Sequence, residues 1–302
     1  MKIGYFGDGP WSHEGINLIS RNAELEIVFI IPRYDVQDPV LKRWAKKLGV
    51  DYIPLKDINS KDSITKIASY EADILVSMSF NQIIKKPLIN LTKYKFINCH
   101  AGKLPFYRGC NVLNWVLING EDKFGVTVHY IDEGIDTGDI IMQEVSPISE
   151  NDDYASILKR ATKLCSELLF KSLINIKNSS VKTIKQSSID PKGSYCRRRI
   201  DGDEWIDWSL SSLEIYNFIR AISKPGPYAR SKIDNKLILI HKAEILENTT
   251  EVYEVSPGVI LSNIDGIVVK TGDSYIKIIR YSFESETNKN VDYLLPGNKF
   301  KS

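Results

Sequence analysis

The sequence predicts an α/β fold: an open, mainly parallel sheet flanked by helices, with a second, smaller β domain. Three observations carry this expectation. Through the first half, short runs of β-branched and aromatic residues alternate with segments of helical period. After about residue 180 the composition turns polar and turn-rich. From Ser231 on, short strand patterns succeed one another with Gly, Asn and Asp between them, as in a small β barrel or sandwich.

The elements follow in order. Lys2 to Phe6 forms a first strand leading into "GDGP", and a helix is expected over Ser12 to Arg21. "ELEIVFIIP" is a buried strand. In "DPVLKRWAKKLG", Asp38 caps a helix that opens on Pro39 and stops at Gly49. "VDYIPL" is a strand, "SKDSITKIASYE" a helix and "ADILVSMSF" another buried strand. "KFINCH", a helix in "NVLNWVLING", and the strands "FGVTVHYI" and "DIIMQEVSPI" come next. Asp152 to Lys177 is the strongest helix, with Tyr154, Ile157, Leu158, Ala161, Leu164, Cys165, Leu168 and Leu169 on one apolar stripe. "SSVKTIKQSSIDPKGSYCRRR" connects the domains; Ser211 and Glu214 then form a capping box.

Several function classes are disfavoured. With 302 residues and a net charge of +2, neither a nucleic-acid nor a membrane partner follows from charge. No apolar run is long enough to span a bilayer, and the N-terminus reads as a strand, not a signal peptide. The four cysteines have no metal-ligand spacing and fit reduced thiols in the cytoplasm; with four histidines, no metal site is expected. "GYFGDGPW" lacks the spacing of a dinucleotide-binding turn, so its glycines are expected to make an ordinary strand-to-helix turn.

The chemistry concentrates at "FINCHAGKLPFYRG", residues 96–109. Asn98 and His100 have the same strand parity and so point to one side. An Asn amide can hold an oxyanion, and a His can carry a proton near neutral pH. Asp136, in the "GIDTG" loop, completes the set, with no nucleophilic Ser or Cys between them. Such a trio suits direct acyl transfer to an amine, while the plainer alternative is a capped strand end with a hydrogen-bonded His. Cys99 points the other way and reads as a core residue; His129, in "VTVHYID", is expected to be structural rather than cleft-facing. Arg197 to Arg199 read as solvated or paired with the acidic run that follows.

"NCHAGKLPFYRG…NWVLINGEDKFGVTVHYIDEGIDTGDII" resembles the 10-formyltetrahydrofolate-dependent formyltransferases. That family includes enzymes acting on methionyl-tRNA, glycinamide ribonucleotide and nucleotide-linked amino sugars. The resemblance implies a Rossmann-like catalytic domain over 1–185, a linker over 186–206 and an OB-like domain over 207–302. It implies catalysis by Asn98 (oxyanion), His100 (acid/base) and Asp136 (tuning and orienting His100). The co-substrate 10-formyltetrahydrofolate is expected at Gln82, Ile83 and Ile84 and at Asp132, Glu133, Gly134 and Ile135. Trp11, His13, Lys103, Tyr107 and Arg108 are the expected acceptor contacts.

"WIDWSLSSLEIYNFIRAISKPGPYA" resembles the C-terminal domain shared by the methionyl-tRNA and aminoarabinose formyltransferases. The tRNA enzymes carry a long basic insertion after the second strand, for which "FIIPRYDVQDPVLKRW" leaves little room, and they typically lack a His where this chain has His129. These points favour a nucleoside-diphosphate-linked amino-deoxy sugar, of the kind used in O-antigen and other cell-surface polysaccharides, over methionyl-tRNA. Nucleic acid and membrane are not expected as partners; a homodimer stays open. A non-catalytic RNA-binding barrel is the remaining alternative, and the aliphatic strands after Ser231 argue against it. Two departures from the family pattern flank the site: Gly102 stands where a Ser is usual, and Cys110 where the aminoarabinose enzymes have Arg.

Overall fold

The computed structural model describes residues 1–234, 236–246, 254–284 and 291–301. The expected C-terminal domain therefore includes stretches, 247–253 and 285–290, that lie outside the described residues. The chain forms two compact units, each drawn from several stretches. The first comprises Met1–Val112, Lys123–Pro147 and Lys159–Arg197; the second comprises Leu113–Asp122, Ile148–Leu158 and Arg198–Ser302.

The first unit is built on a seven-stranded sheet. Its strands are β1 (Lys2–Gly7), β2 (Glu26–Pro32), β3 (Asp51–Tyr52), β4 (Ile74–Met78), β5 (Phe96–His100), β7 (Lys123–Tyr130) and β8 (Ile140–Pro147). They lie in the order β3-β2-β1-β4-β5-β7-β8. The first five are parallel, and β7 and β8 close the sheet antiparallel. Every residue of β4, and all of β1 after Lys2, is buried, which explains their unbroken apolar runs. The order reverses between β1 and β4, and such a switch point opens a crevice beyond the carboxyl ends of the strands. Phe6, Phe29, Leu75 and Phe96 pack as one cluster, Phe6 lying edge-on to Phe29 at 5.9 Å. Full burial of each such side chain contributes about 1.5–3 kcal/mol.

Helices α1 (Gly9–Ile19), α2 (Pro39–Leu48) and α3 (Lys61–Ala68) link the parallel strands. α1 begins three residues before the expected Ser12, because Pro10 suits the first turn. Ser12 instead ties the strand ends, accepting from Asp8 N at 2.8 Å and donating to the Met78 carbonyl at 2.7 Å. Asp38 does cap α2, accepting from Val40 N and Leu41 N, and Gly49 ends it in the left-handed region. The expected strand at "VDYIPL" shortens to β3, since after Ile53 donates to the Ile30 carbonyl, Pro54 has no N–H to continue the ladder. A four-residue α4 (Lys86–Ile89) and a short parallel pair, β6 (Arg108–Gly109) with β9 (Tyr195–Cys196), complete the frame. The helices α5 (Val112–Ile118) and α6 (Tyr154–Lys177) each run through a boundary between these stretches; α6 buries Ile157, Ala161, Cys165, Leu168 and Leu169.

The second unit holds an antiparallel sheet of β10 (Ala229–Ile233), β11 (Lys236–Ile245), β12 (Ile260–Ser262), β13 (Ile267–Lys270) and β14 (Tyr275–Phe283), ordered β10-β11-β14-β13-β12. Its helix α7 (Ser212–Ala221) opens on the expected Ser211–Glu214 capping box. Trp208 stacks on Phe300 at 5.2 Å, both buried.

Candidate active site

β5 delivers the two expected catalytic side chains to one face of the sheet. Across the antiparallel β5–β7 pair, Asn98 stands opposite His129 and His100 opposite Thr127. Cross-strand partners share a face, so His129 joins the cluster as a third polar member. Cys99 points the other way, is 7% exposed, and donates weakly to the Cys165 carbonyl at 3.4 Å, as expected of a core residue.

Hydrogen-bond chemistry fixes where protons sit. His100 Nε2 lies 2.7 Å from the Tyr107 carbonyl, which can only accept, so Nε2 carries hydrogen. His100 Nδ1 then faces Asp136 Oδ2 at 3.5 Å. By the same logic His129 Nδ1 donates to the Tyr130 carbonyl at 2.8 Å. Its Nε2 faces Asn98 Nδ2 at 3.3 Å and Asp136 Oδ1 at 3.5 Å. One carboxylate thus confronts both imidazoles, and Oδ2 also accepts from Gly109 N at 2.9 Å. Burial alone would raise the Asp136 pKa; the positive charge that His100 and His129 carry when protonated, together with the Gly109 N–H, outweighs it and holds the carboxyl well below its usual range. The group is therefore an anion at neutral pH.

The loop after β5 is drawn tightly over His100. A Cβ at position 102 would fall 2.5 Å from His100 Nε2 and closer still to the Tyr107 carbonyl, so only glycine fits this conformation. The departure from the usual Ser and the Tyr107–His100 hydrogen bond are thus linked. Tyr107 itself has φ +58, and the Gly102 carbonyl is fixed by Thr127 Oγ1 at 2.7 Å. Gly109, at φ +93, lies against the Cys196 carbonyl where a Cβ would collide.

The expected acceptor residues divide. Tyr107 touches the centre through its carbonyl. Arg108 is turned inward and 6% exposed: Nε and Nη2 donate to Gln186 Oε1, Nη1 to the Lys192 carbonyl and Tyr195 Oη. Lys103 is half-buried with its main chain against Gly125. Trp11 and His13 are held on α1, where the Trp11 carbonyl accepts from Ser166 Oγ and His13 Nε2 meets Asp38 Oδ2 at 2.6 Å.

The expected folate loops are both held by side-chain hydrogen bonds. Gln82 donates to the Leu55 carbonyl and accepts from Ile58 N, so its amide staples the 82–86 loop to its neighbour. Asn59 reinforces that staple, donating to the Ile83 carbonyl and accepting from Lys85 N. Ile84 packs on the core cluster, while Ile83 and Ile135 stand exposed. Asp132 Oδ1 accepts from Gly134 N and Thr137 Oγ1, tightening the second loop, and Glu133 reaches Lys86 at 3.7 Å. A cleft of about 310 Å³ lies between Lys86, Ile89, Asp132, Glu133 and Asp139; Asn98, His100 and Asp136 do not line it. Among the described residues, no group of three His, Cys, Asp or Glu is placed to hold a metal ion.

His129, read from the sequence as structural, instead joins Asn98 and Asp136, because the antiparallel register of β7 on β5 sets it opposite Asn98. One residue of this neighbourhood escapes sequence reasoning. Gln186, 3% exposed, has no motif at all; it bonds residues 78 and 50 positions away.

Comparison with known proteins places the chain. Residues 1–173 match the sequence profile described as formyl transferase, and residues 200–298 that of the formyl transferase C-terminal domain. The methionyl-tRNA formyltransferase of Clostridium acetobutylicum is 33% identical over 99% of this chain and 97% of its own. That of Halothermothrix orenii is 29% identical over 100% and 98%. Among solved structures, the sugar 3N-formyl transferase WlaRD, determined with dTDP and 5-N-formyl-THF, superposes with TM-score 0.70 and 26% identity, covering 95% of this chain and 98% of that one. The Helicobacter canadensis N-formyltransferase bound to folinic acid and dTDP-3-aminofucose shares the fold, with TM-score 0.69 and 24% identity over 93% and 100%.

Proposed function

The chain belongs to the formyl transferase family, and from that premise we propose that it carries a formyl group from 10-formyltetrahydrofolate to the free amine of a nucleoside-diphosphate-linked amino-deoxy sugar. The donor supplies an activated formyl carbon; the chain's own residues hold charge and move a proton. Asn98 Nδ2 has two hydrogens and directs one toward His129 Nε2, leaving the other for an oxygen gaining charge. His100 takes the proton shed by the attacking amine at Nδ1, because Nε2 is committed to the Tyr107 carbonyl, and gives a proton to N10 as the formyl carbon–N10 bond breaks and tetrahydrofolate leaves. A proton arriving on Nδ1 faces the anionic Asp136. The two loops proposed to hold the co-substrate each present an exposed apolar side chain, Ile83 and Ile135, which suits contact with a flat heterocycle.

One observation carries the choice of acceptor. Between β2 and α2 the chain spends only residues 33–38. This connection has one cation, Arg33, and its guanidinium is bound in a fork by Asp35 at 2.7 and 3.1 Å. A loop that grips tRNA phosphates needs free basic groups. The second reading, methionyl-tRNA as acceptor, is supported by the names of the full-length relatives. We place the enzyme in the cytoplasm, which its four free thiols fit.

A competition assay separates the two readings. The protein, with formyl donor, is offered dTDP-, UDP- and GDP-linked amino sugars against charged initiator tRNA. The expected result is a formamide on one of the sugars; formylation of the tRNA alone would overturn the proposal.

A further inference from the structure

Gln186 sits at the junction of the two loops that build the catalytic centre. Its side-chain amide has four hydrogen-bonding positions, and all four are filled. Oε1 accepts from Arg108 Nε at 3.0 Å and Nη2 at 2.7 Å. Nε2 donates to the Asp136 carbonyl and to the Gly138 carbonyl, both at 2.8 Å. The amide cannot be turned over, since a guanidinium only donates and a carbonyl only accepts.

These bonds close a circuit. Gln186 grips Arg108; the next residue, Gly109, gives its N–H to Asp136 Oδ2; the Asp136 main chain returns to Gln186. Asp136 has φ +53, a left-handed backbone that a non-glycine residue keeps only where its surroundings over-determine it. The clamp is anchored in turn, because the nearby Ile184 bridges the first residue of β8 through paired backbone hydrogen bonds of 2.9 Å. On the other side, Arg108 stacks on Tyr195 at 5.3 Å and donates to the Lys192 carbonyl.

We propose that Gln186 is a positioning residue for formyl transfer, holding the backbone of Asp136 so that its carboxylate faces His100 and His129. It touches neither substrate. The inference rests on the proposed role of Asp136, and it adds that this role depends on a single neutral amide supplied by the segment after β8 and α6. A carboxylate at position 186 keeps the Arg108 anchor but turns two attractive contacts with carbonyls into repulsive ones. A thioether of similar size removes both halves.

The test uses Gln186→Glu, with Gln186→Met as the second variant should a buried carboxylate prevent folding, each measured alone and with Asp136→Asn. Misplacing a reacting group by about 1 Å costs on the order of 10²-fold, so kcat is expected to fall by about that factor while the KM for the acceptor holds. In the Asp136→Asn background, the same change at 186 should add little, because the two residues act as one unit. A full additional loss in that background, or a single variant with wild-type kcat, overturns the inference. A second readout needs no turnover: the ¹⁵N signals of the His100 and His129 imidazoles in the resting protein. The position 186 variant should move them in the same direction as Asp136→Asn does, and unchanged signals reject the clamp. If the wild type formylates no amine offered, the functional reading falls, and these signals still decide the role of Gln186.

Discussion

His13 and His100 each face a largely buried carboxylate in the same unit, Asp38 at 2.6 Å and Asp136 at 3.5 Å. The shorter pair is the less free. Asp38 spends one oxygen on Val40 N and Leu41 N at the start of α2, and the other on Gly9 N and His13. It is a joint between two helix N-termini, and His13 completes it. Asp136 accepts one N–H, from Gly109, and otherwise faces two imidazoles at a distance too long for good hydrogen bonds. His100 is steered by a carbonyl on its far nitrogen, which leaves Nδ1 able to gain and lose a proton. Distance alone would choose the wrong pair; the test is what else the carboxylate is bonded to.

The largest effect should come from removing the two histidines in turn. His100→Ala is expected to lower kcat by about 10²–10⁴-fold with a melting temperature near wild type, and His13→Ala to leave kcat close to wild type. Equal losses from both would erase the contrast between the pairs. Near-normal turnover in His100→Ala would sink the mechanism.

The carboxylates should separate in turnover rather than in stability. Asp38→Ala removes a helix cap and leaves the Gly9 N–H and His13 without their acceptor, a destabilisation of about 2–3 kcal/mol in urea unfolding, with kcat close to wild type. Asp136→Asn keeps an oxygen for Gly109 N but loses the charge that faces the two imidazoles, and kcat should fall. If Asp38→Ala lowers kcat as far as Asp136→Asn does, the contrast between the two carboxylates is lost.

The shape of His100's surroundings gives the next effect. In Gly102→Ala the new methyl meets both the Tyr107 carbonyl and the imidazole, so the loop must shift, at about 1–2 kcal/mol. The His100–Tyr107 hydrogen bond should weaken with it, read as a loss of kcat larger than the loss of stability implies. A variant with unchanged kcat would show that the carbonyl does not steer the ring.

Local rules made part of this legible in the sequence. Asp38 before Pro39, the Ser211–Glu214 box and the parity of Asn98, Cys99 and His100 depend on residues close along the chain, and they stand as expected. The rest depends on contacts between distant segments. Arg108 belongs to a recognisable motif, but a motif says nothing of direction, and the guanidinium points into Gln186 rather than outward. His129 enters the cluster through a strand register, and Gln186 through two loops folding onto one another. Neither leaves a periodic trace.

The smallest effect concerns acid. Burial by itself would raise the Asp38 pKa, and His13, Val40 N, Gly9 N and Leu41 N outweigh it, so the folded value lies below the usual one. In the unfolded chain the group titrates near its ordinary value of about 3.9. Below that pH the unfolded state takes up a proton that the folded state refuses, so stability present at neutral pH drains away as the pH falls. Asp136 is depressed further, so its contribution is lost over a wider window that extends lower. The expected signatures are slopes. Between about pH 5 and pH 3, Asp38→Asn should flatten the fall of stability slightly, and Asp136→Asn should flatten it more and to lower pH. Steeper loss in either variant would mean that its carboxylate is stabilised as the acid, and the two-imidazole picture of Asp136 would then have to be abandoned first, because its shift is the larger.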